Sequence, residues 1–428
     1  GLGRFGGGAE VTRWLVAQGA EVLVTDLQPA EKLGEQVAGV QGLVDSGAVR
    51  LRLGEHNVSD FTTCDLVVAN PAVPRPWDNR FLRASAAANV PITTEIRLLI
   101  ERLPSRRTIG ITGSAGKSTT SALIHHILAT NGVAAVLGGN IGGSLLGSLD
   151  QLDEKTWVVL ELSSAMLHWL GEVPWSPRVA VVTNVSPNHV DWHGSFDHYE
   201  ASKRRLVARQ GEGDVAVLGP TLQGWGLPTG VGRVVVSGTM QGLSIPGAHN
   251  GLNAAMAVEA CLATGAGLTR SQAEVAARTF GGLPHRLQLA AEVGGVRYYN
   301  DSKATTPESC LLAVAAFGEG SAARIHLIAG GYDKEIDLGA IAALAGRIGG
   351  LYTIGVTGPA IAAASLGKAE ECGTLAGAVE RVQRRVKKGD IVLLSPGCAS
   401  WDQFENYEQR GEVFCGLVRA GMQREVLA

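Results

Sequence analysis

Residues Ile111–Thr120 read ITGSAGKSTT, a glycine-rich stretch that ends in Gly-Lys-Ser-Thr-Thr. Arg106–Ile109 before it can form a strand, and the apolar-periodic run Ser118–Ala129 can form a helix. A strand, a glycine loop and a helix in this order predict a phosphate-binding loop, because loop and helix N-terminal N–H groups, together with the helix dipole, attract anionic oxygens. Lys117 would contact the terminal phosphates and the Ser118 hydroxyl would ligate Mg²⁺.

The match to the phosphate-loop pattern is imperfect. The pattern places glycine six residues before the lysine, where this chain has Ile111, and Gly113 and Gly116 supply the flexibility instead. The alternative is a glycine-rich turn that binds nothing. Because a strand and a helix flank the loop, the sequence favours a nucleoside triphosphate site over that alternative.

The composition bounds the class of protein. A chain of 428 residues with 45% hydrophobic residues and 57 glycines indicates roughly two to four α/β domains with many tight turns. A net charge of −3 provides no basic field for nucleic acid or acidic lipid. The cysteines are scattered without a CxxC pair, which favours a reducing, cytoplasmic compartment over disulfides or zinc. No apolar run reaches membrane-spanning length.

The N-terminal segment Gly1–Gly8 reads GLGRFGGG and contains GxGxxG. A helix is expected over Ala9–Gln18 and a strand over Glu21–Val24, followed by Asp26. An acidic residue about 20 positions after such glycines is typical of ribose binding in a dinucleotide fold, so a nicotinamide oxidoreductase is one alternative. We expect the strand that precedes such a loop to be missing from this sequence. Asp65–Ala69 is predicted to be a further buried strand.

Two further strands would bring chemistry to the end of the phosphate-loop strand. Trp157–Leu162 is an apolar run interrupted by Glu161, and Arg178–Thr183 is a strand with His189 just beyond it. The carboxyl ends of parallel strands form a ligand crevice, so these groups should converge there. A buried glutamate needs a cation or a donor, and a structural capping role is its alternative. His189 alone would be a structural histidine, but beside a Mg²⁺-nucleotide a ligand role is favoured.

A helix is predicted over Phe196–Val207, with Phe196, Tyr199, Lys203 and Leu206 on one stripe. Lys203 therefore faces the core rather than solvent. Burial disfavours an ammonium, and the neutral amine is nucleophilic. Such a lysine can pair with a phosphate, or it can add CO₂ and become an anionic carbamate that binds metal.

The long helix predicted over Gly247–Gly265 carries Asn250 and Asn253 on one face. These amides could contact an adenine ring, or they could cap the helix start. We expect a domain boundary at Gly282–Arg286. Beyond it, strands are predicted at the following segments: Val296–Tyr299, Arg324–Ala329, Leu351–Gly355 and Asp390–Leu394. Polar groups follow several of these strands, and their lysines and hydroxyls would suit a carboxylate-rich small molecule.

The segments TGSAGKST, LELSS, TNVSPNH, SKRRL, GAHNGLNA, GLPHR, NDSKAT and SPGCASWDQF occur in the order seen in Mur ligases, and the chain resembles that family over its whole length. NDSKAT and CASWDQF resemble the branch that joins D-glutamate to UDP-N-acetylmuramoyl-L-alanine in peptidoglycan synthesis. The resemblance implies a Rossmann-like N-terminal domain for the uridine substrate (1–94), a central P-loop ATPase domain with a mostly parallel sheet (95–282) and a Rossmann-like C-terminal amino-acid domain (283–428). It implies a monomer that binds neither nucleic acid nor membrane.

The resemblance also implies the role of each matching residue, which we list by ligand. ATP would contact Gly113, Ser114, Gly116, Lys117, Ser118, Thr119, Asn140, Asn250, Asn253, His285, Arg286 and Asp301. Two Mg²⁺ ions would be held by Ser118, Glu161, His189 and a carbamate on Lys203. The substrates would contact Asp26, Thr305, Lys334, Ser400, Trp401 and Tyr407. Lys117, His189 and Lys203 would be the catalytic residues.

The chain departs from the Mur pattern near the acceptor site. Ala165-Met166 stand where Phe-Gln is usual, Pro187-Asn188 where Glu-Asp is usual, and Trp192 where arginine is usual. These departures affect the expected muramoyl contacts more than the ATP chemistry. The expected reaction is ATP-dependent amide ligation through an acyl phosphate; a related Mur-type ligase with another amino acid or acceptor, and a nucleotide-switch binding protein, are the alternatives.

Overall fold

The computed structural model describes residues 1–2, 7–104, 106–333 and 336–426. The chain divides into two compact units, the first comprising Gly1–Gly238 with Leu252–Ala277 and the second Thr239–Gly251 with Arg278–Ala428. Both units alternate strands and helices, which confirms the predicted α/β class. The predicted boundaries after residues 94 and 282 stay predictions. No helix in the described ranges combines the length and the apolar character needed to cross a membrane.

The strands of the first unit are β1 (Val22–Asp26), β2 (Val49–Leu53), β3 (Val67–Val68), β4 (Ile92–Thr93), β5 (Thr108–Thr112), β6 (Ala135–Gly139), β7 (Trp157–Glu161), β8 (Val179–Val182), β9 (Val215–Leu218) and β10 (Gly232–Val235). Its helices are α1 (Gly7–Ala17), α2 (Gly34–Ala38), α3 (Gln41–Asp45), α4 (Ser59–Thr62), α5 (Arg80–Ala87), α6 (Glu95–Ile100), α7 (Lys117–Thr130), α8 (Ser164–Trp169), α9 (Val190–His193), α10 (Phe196–Arg204), α11 (Ala248–Ala263) and α12 (Arg270–Arg278), the last two of which reach into segments of the second unit.

The central sheet of the first unit is parallel throughout, with strand order β10-β9-β8-β5-β7-β6. β5 lies between β7 and β8, and Ile111 pairs with both Glu161 and Val181. The carboxyl end of β5 therefore lies beside the end of β7, which contains Glu161, and the end of β8, which precedes His189. Two short parallel pairs, β1–β2 and β3–β4, precede this sheet in the chain.

Several sequence-predicted elements have different bounds in the structure, and three of them lie close to the site or to its domain. The strand predicted at Arg106–Ile109 is β5, which begins at Thr108 and continues to Thr112, because every residue of β5 is buried between two partner strands. The strand predicted at Asp65–Ala69 is only β3, because β4 pairs with no more than two of its residues. The helix predicted over Phe196–Val207 ends at Arg204, so Leu206 follows the helix.

The strands of the second unit are β11 (Gln288–Val293), β12 (Val296–Asn300), β13 (Ile325–Gly330), β14 (Gly350–Ile354), β15 (Ala369–Gly373) and β16 (Ile391–Leu394). Its helices are α13 (Pro307–Ala315), α14 (Gly339–Ala342), α15 (Gly358–Ala364), α16 (Leu375–Gln383) and α17 (Tyr407–Val426). The strand order is β11-β12-β16-β13-β14-β15, with only β11 antiparallel to its neighbour. The sequence reasoning missed β11, which joins β12 through a hairpin at Gly294-Gly295, where both φ angles are positive.

Candidate active site

The two loop glycines have conformations that only glycine adopts readily. Gly113 has φ 153°, and a Cβ there would lie 1.9 Å from Thr183 Oγ1. Gly116 has φ 82° and stands immediately before α7, where a Cβ would lie 2.5 Å from Asn253 Oδ1. Substitution at either position therefore meets both backbone strain and a clash.

The loop is fixed by the residues that follow β8. Asn184 accepts hydrogen bonds from the Ser114 N–H at its carbonyl oxygen (2.9 Å) and from the Ala115 N–H at its side chain (3.0 Å). Thr183 Oγ1 donates to the Ala115 carbonyl (2.6 Å). These two loop N–H groups therefore have acceptors within the protein, whereas the sequence analysis assigned N–H groups of the loop to an anion. Ser118 and Thr119 belong to the first turn of α7, where backbone N–H groups have no acceptor within the helix and are suited to an anion.

Two lysines converge on the same carbonyl oxygen. Lys117 Nζ donates to the Gly113 carbonyl (2.9 Å) and to the Ser114 carbonyl (3.1 Å). Lys203 Nζ donates to the Gly113 carbonyl (2.8 Å) and to Thr112 Oγ1 (3.3 Å). Both ammonium groups therefore lie at the phosphate loop.

Lys203 is 1% exposed, as the helical stripe predicts. Its Nζ lies 4.6 Å from the ring centre of Tyr199, whose hydroxyl is 2.7 Å from Ser114 Oγ. Burial, followed by the nearby charge of Lys117, lowers the pKa of Lys203 to about 7, while Glu161 opposes the shift. The geometry therefore favours a partly neutral amine.

Glu161 lies at the end of β7 and is 0% exposed. One carboxylate oxygen accepts a hydrogen bond from Asn140 Nδ2 (2.7 Å), and the other is buried without a hydrogen-bond partner among the described residues. The Asn140 N–H also donates to the Glu161 carbonyl (2.9 Å). An unpartnered buried carboxylate oxygen fits a hard cation such as Mg²⁺.

The described ranges contain no cluster of three His, Cys, Asp or Glu residues that could hold a metal ion. A Mg²⁺ ion bound through Glu161 would therefore need hydroxyl, phosphate or water oxygens to complete its ligands, as is usual for this ion. His189 is exposed and has φ 51°, and its ring centre lies 6.3 Å from that of Tyr199. The structure thus places His189 at the edge of the Lys203 site.

In the second unit, His285 and Asp301 each have hydrogen-bond partners of their own. Asp301 accepts from the Leu287 N–H (3.0 Å) and from Ser395 Oγ (2.7 Å), and burial raises its pKa to about 6. His285 has φ 60°, and its Nδ1 lies 3.1 Å from Asn300 Nδ2. Arg286 is exposed.

A small cleft at the carboxyl ends of the second unit's strands includes one of the predicted amino-acid contacts. Its lining includes Thr305, Tyr332, Thr357 and Cys398. Among the described residues, Ser400, Trp401 and Tyr407 do not line this cleft. Ser400 is 2% exposed, Trp401 is 63% exposed, and the Tyr407 ring centre is 5.1 Å from Lys303 Nζ. Burial raises the pKa of Tyr407 to about 12. Lys334 lies outside the described residues.

Arg410 on α17 is a residue that the sequence reasoning missed. It is 1% exposed and donates to Ser302 Oγ and to three carbonyl oxygens, those of Ser302, Cys398 and Ala399. Burial lowers its pKa to about 10. Arg410 therefore joins the loop after β12 to the loop after β16. Helical spacing with the buried Phe414 and Val418 was the available signal.

The remaining predicted contacts have local partners. Asp26 follows the expected strand and accepts from the Leu2 N–H (3.0 Å) and the Gln28 N–H (2.9 Å). Asn250 Nδ2 donates to the Pro246 carbonyl (2.6 Å), so this amide packs against the preceding turn. Asn253 is 6% exposed beside Gly116, which agrees with a place near the phosphate loop.

Comparison with known proteins identifies the family. The Mur ligase middle domain matches residues 111–221, and the domain described as "Mur ligase, glutamate ligase domain" matches residues 285–398. A UDP-N-acetylmuramoylalanine--D-glutamate ligase of Acidobacterium capsulatum is 35% identical over 98% of this chain and 95% of its own. The chain belongs to the Mur ligase family. A protein of the same name from Ruegeria pomeroyi is 37% identical over 98% of this chain and 96% of its own.

Solved Mur ligase structures share the fold. The UDP-N-acetylmuramate-alanine ligase of Thermotoga maritima has a TM-score of 0.55 at 19% identity and covers 97% of each chain. The MurF ligase of the same organism, solved in complex with ADP, has a TM-score of 0.52 at 16% identity and covers 90% of this chain and 92% of its own. At these identities the likeness establishes the shared α/β fold and nothing about substrates.

Trp192, one of the departures from the Mur ligase pattern, lies in an aromatic cluster. Trp192 is 7% exposed, and its Nε1 donates to the Pro71 carbonyl (3.2 Å). The ring centres of Trp77, His168 and His198 lie 4.6 to 5.3 Å apart, and Trp192 is 5.5 Å from His168. The segment that usually carries an arginine therefore packs in this Mur ligase against the loop after β3.

Proposed function

We propose that this chain is an ATP-dependent ligase that joins D-glutamate to UDP-N-acetylmuramoyl-L-alanine in peptidoglycan synthesis. The observation that carries the proposal is the meeting of Lys117, Lys203 and Glu161 around the end of β5. This arrangement lies in a chain matched over 98% of its length by a relative of that name. A nicotinamide oxidoreductase would leave this phosphate-loop arrangement without a role.

In the proposed reaction, the acceptor carboxylate attacks the γ-phosphorus of ATP and gives an acyl phosphate and ADP. Lys117 would leave the loop carbonyls and pair with the transferring phosphoryl group. The N–H groups of the first α7 turn would hold the phosphates in line. Magnesium, when bound through Glu161, Ser118 and His189, would supply neutralising charge to the phosphates. The amine of D-glutamate then attacks the acyl carbon, and phosphate leaves.

We propose that Lys203 acts as a carbamate. The neutral amine of Lys203 adds CO₂ and releases a proton. The side chain, whose protonated form is a cation beside Lys117, thereby becomes an oxygen anion. The buried position of Lys203 supports this proposal, because burial disfavours the ammonium. A plain lysine that pairs with phosphate is the alternative that the sequence left open.

The proposed amino-acid site is the cleft with Thr305 and Cys398. Lys334 and Ser400 are proposed to hold the side carboxylate of the amino acid, and Trp401 and Tyr407 are proposed as further contacts. His285, Arg286 and Asp301 are proposed to contact ATP, as are Asn140, Asn250 and Asn253, and Asp26 is proposed to contact the uridine substrate. A cytoplasmic monomer that binds neither nucleic acid nor membrane stays a prediction.

The test is a phosphate-release assay with UDP-N-acetylmuramoyl acceptors against a panel of amino acids. Release that requires both the L-alanyl acceptor and D-glutamate is expected. Release that is independent of an amino acid would indicate a nucleotide-switch protein instead, and release with another amino acid would indicate a related Mur-type ligase.

A further inference from the structure

Hydrogen bonds connect Ser164 to two histidines of the first unit. Ser164 Oγ lies 2.9 Å from His193 Nε2, and His193 Nδ1 lies 2.9 Å from His198 Nδ1. Ser164 and His193 are 4% and 2% exposed, whereas His198 is half-buried in the first turn of α10. The Ser164–His193–His198 chain therefore leads from a buried hydroxyl towards the surface.

The buried end of this chain lies close to the proposed reaction site. Ser164 is the first residue of α8 and follows Glu161 by three residues. It therefore lies at the same carboxyl edge of the central sheet as the phosphate loop. His193 is the last residue of α9, which follows β8 at that edge.

The two histidines are held neutral. An N–H···N contact needs one donor and one acceptor, so both rings cannot be cationic at once. His193 is 2% exposed, and burial of this kind disfavours an imidazolium. Burial and the Arg205 guanidinium lower the pKa of His198.

A neutral chain of this kind has two hydrogen-bond directions. In one, Ser164 donates to His193 Nε2 and His193 Nδ1 donates to His198. In the other, His198 Nδ1 donates to His193, and His193 Nε2 donates to Ser164. Passage from the first direction to the second transfers one proton along the chain. A histidine ring bonded to a backbone carbonyl or to a charged side chain could not reverse its hydrogen-bond direction in this way.

We propose that the Ser164–His193–His198 chain is a proton relay for the amine of the incoming amino acid, a role that rests on the proposed function. The ammonium gives one proton to Ser164 Oγ, whose own proton passes to His193 Nε2. The Nδ1 proton of His193 passes to His198 Nδ1, and the Nε2 proton of His198 passes to water. The free amine forms the C–N bond as the C–O bond to phosphate breaks, and the second amine proton leaves with the departing phosphate as HPO₄²⁻. His193 and His198 are positioning residues that act through Ser164.

The kinetic test uses His198→Ala, which removes the outer member of the chain. We expect kcat with D-glutamate to fall at least tenfold with the KM of ATP unchanged, and free imidazole to restore part of it. The control is His168→Asn, because His168 belongs to the same aromatic cluster and lies outside the chain; its kcat should stay within about twofold of the parent. A tenfold loss without imidazole rescue would overturn the relay and indicate a structural histidine.

A second measurement needs no substrate. In protein labelled with ¹⁵N-histidine, a scalar coupling across the hydrogen bond should link the Nδ1 atoms of His193 and His198, persist in His168→Asn and vanish in His198→Ala. Absence of this coupling in the parent would refute the chain. If His198→Ala turns over as fast as the parent, the relay is refuted and the proposed function is not. If the parent itself shows no phosphate release that depends on D-glutamate, the proposed function is refuted.

Discussion

Replacement of Arg410 by methionine should destabilise the second unit and weaken amino-acid binding. Methionine keeps much of the side-chain volume, so the main loss is the set of hydrogen bonds to Ser302, Cys398 and Ala399. The Ala399 carbonyl keeps the Tyr332 N–H as a donor, whereas the Cys398 carbonyl loses both guanidinium contacts. A hydrogen bond to a charged group contributes about 1.5–3 kcal/mol, and an unsatisfied buried group costs about 1–3 kcal/mol.

Release of the buried guanidinium offsets part of this loss, since its lowered pKa shows that burial disfavours the charge. We therefore expect a net loss of about 3 kcal/mol in the free energy of unfolding. For a unit of this size that corresponds to a fall in Tm of roughly 6–12 °C. Scanning calorimetry would measure the change in Tm.

The matched control is Arg419→Met on the same helix, where the side chain is exposed and the expected change is within about 0.5 kcal/mol. In Arg410→Met the KM of D-glutamate should rise far more than the KM of ATP, because Arg410 holds the loops after β12 and β16. Equal Tm values for the two variants would refute the reasoning. A lower Tm with both KM values unchanged would show that Arg410 stabilises the unit without ordering the amino-acid site.

Three shorter predictions follow from the first unit. Lys117→Ala should lower kcat on the order of a hundredfold or more, since it removes a charge partner of the transferring phosphoryl group; turnover within a few-fold of the parent would exclude that role. Lys203→Arg should be inactive, and parent protein stripped of bicarbonate should lose activity and regain it on addition, because a guanidinium forms no such carbamate; a near-parent rate would indicate a plain phosphate-binding lysine. Burial lowers the pKa values of His168 and His193 to about 4, so the unfolded chain binds more protons than the folded protein between about pH 6.5 and 4. The free energy of unfolding should therefore fall as the pH decreases through this window. Urea titrations at several pH values would measure this pH dependence, which should be weaker in His168→Asn.

The phosphate loop and the burial of Lys203 could be predicted from the sequence because each depends on short-range geometry. Loop glycines followed by Lys-Ser predict where the lysine and serine side chains lie. Likewise, four residues at helical spacing predict which face of the helix Lys203 occupies, independently of the tertiary structure. The same reasoning could have found Arg410, which shares a helical stripe with Phe414 and Val418. Element bounds were less accurate, because pairing with β4 limits β3 to two residues and two neighbouring strands extend β5 to Thr112.

Only the tertiary structure determined which groups the side chains contact. The N–H group of Ala115 in the phosphate loop is bonded by Asn184, far along the chain. Arg410 on α17 donates to the Cys398 carbonyl, which follows β16. Ser164 on α8 contacts His193 on α9. None of these contacts leaves a periodic signal, because their sequence separations are set by the order of strands in each sheet. The sequence by itself therefore predicted that Glu161, Lys203 and the phosphate loop share one site, while the sheet brings Glu161 and the loop together by placing β5 between β7 and β8.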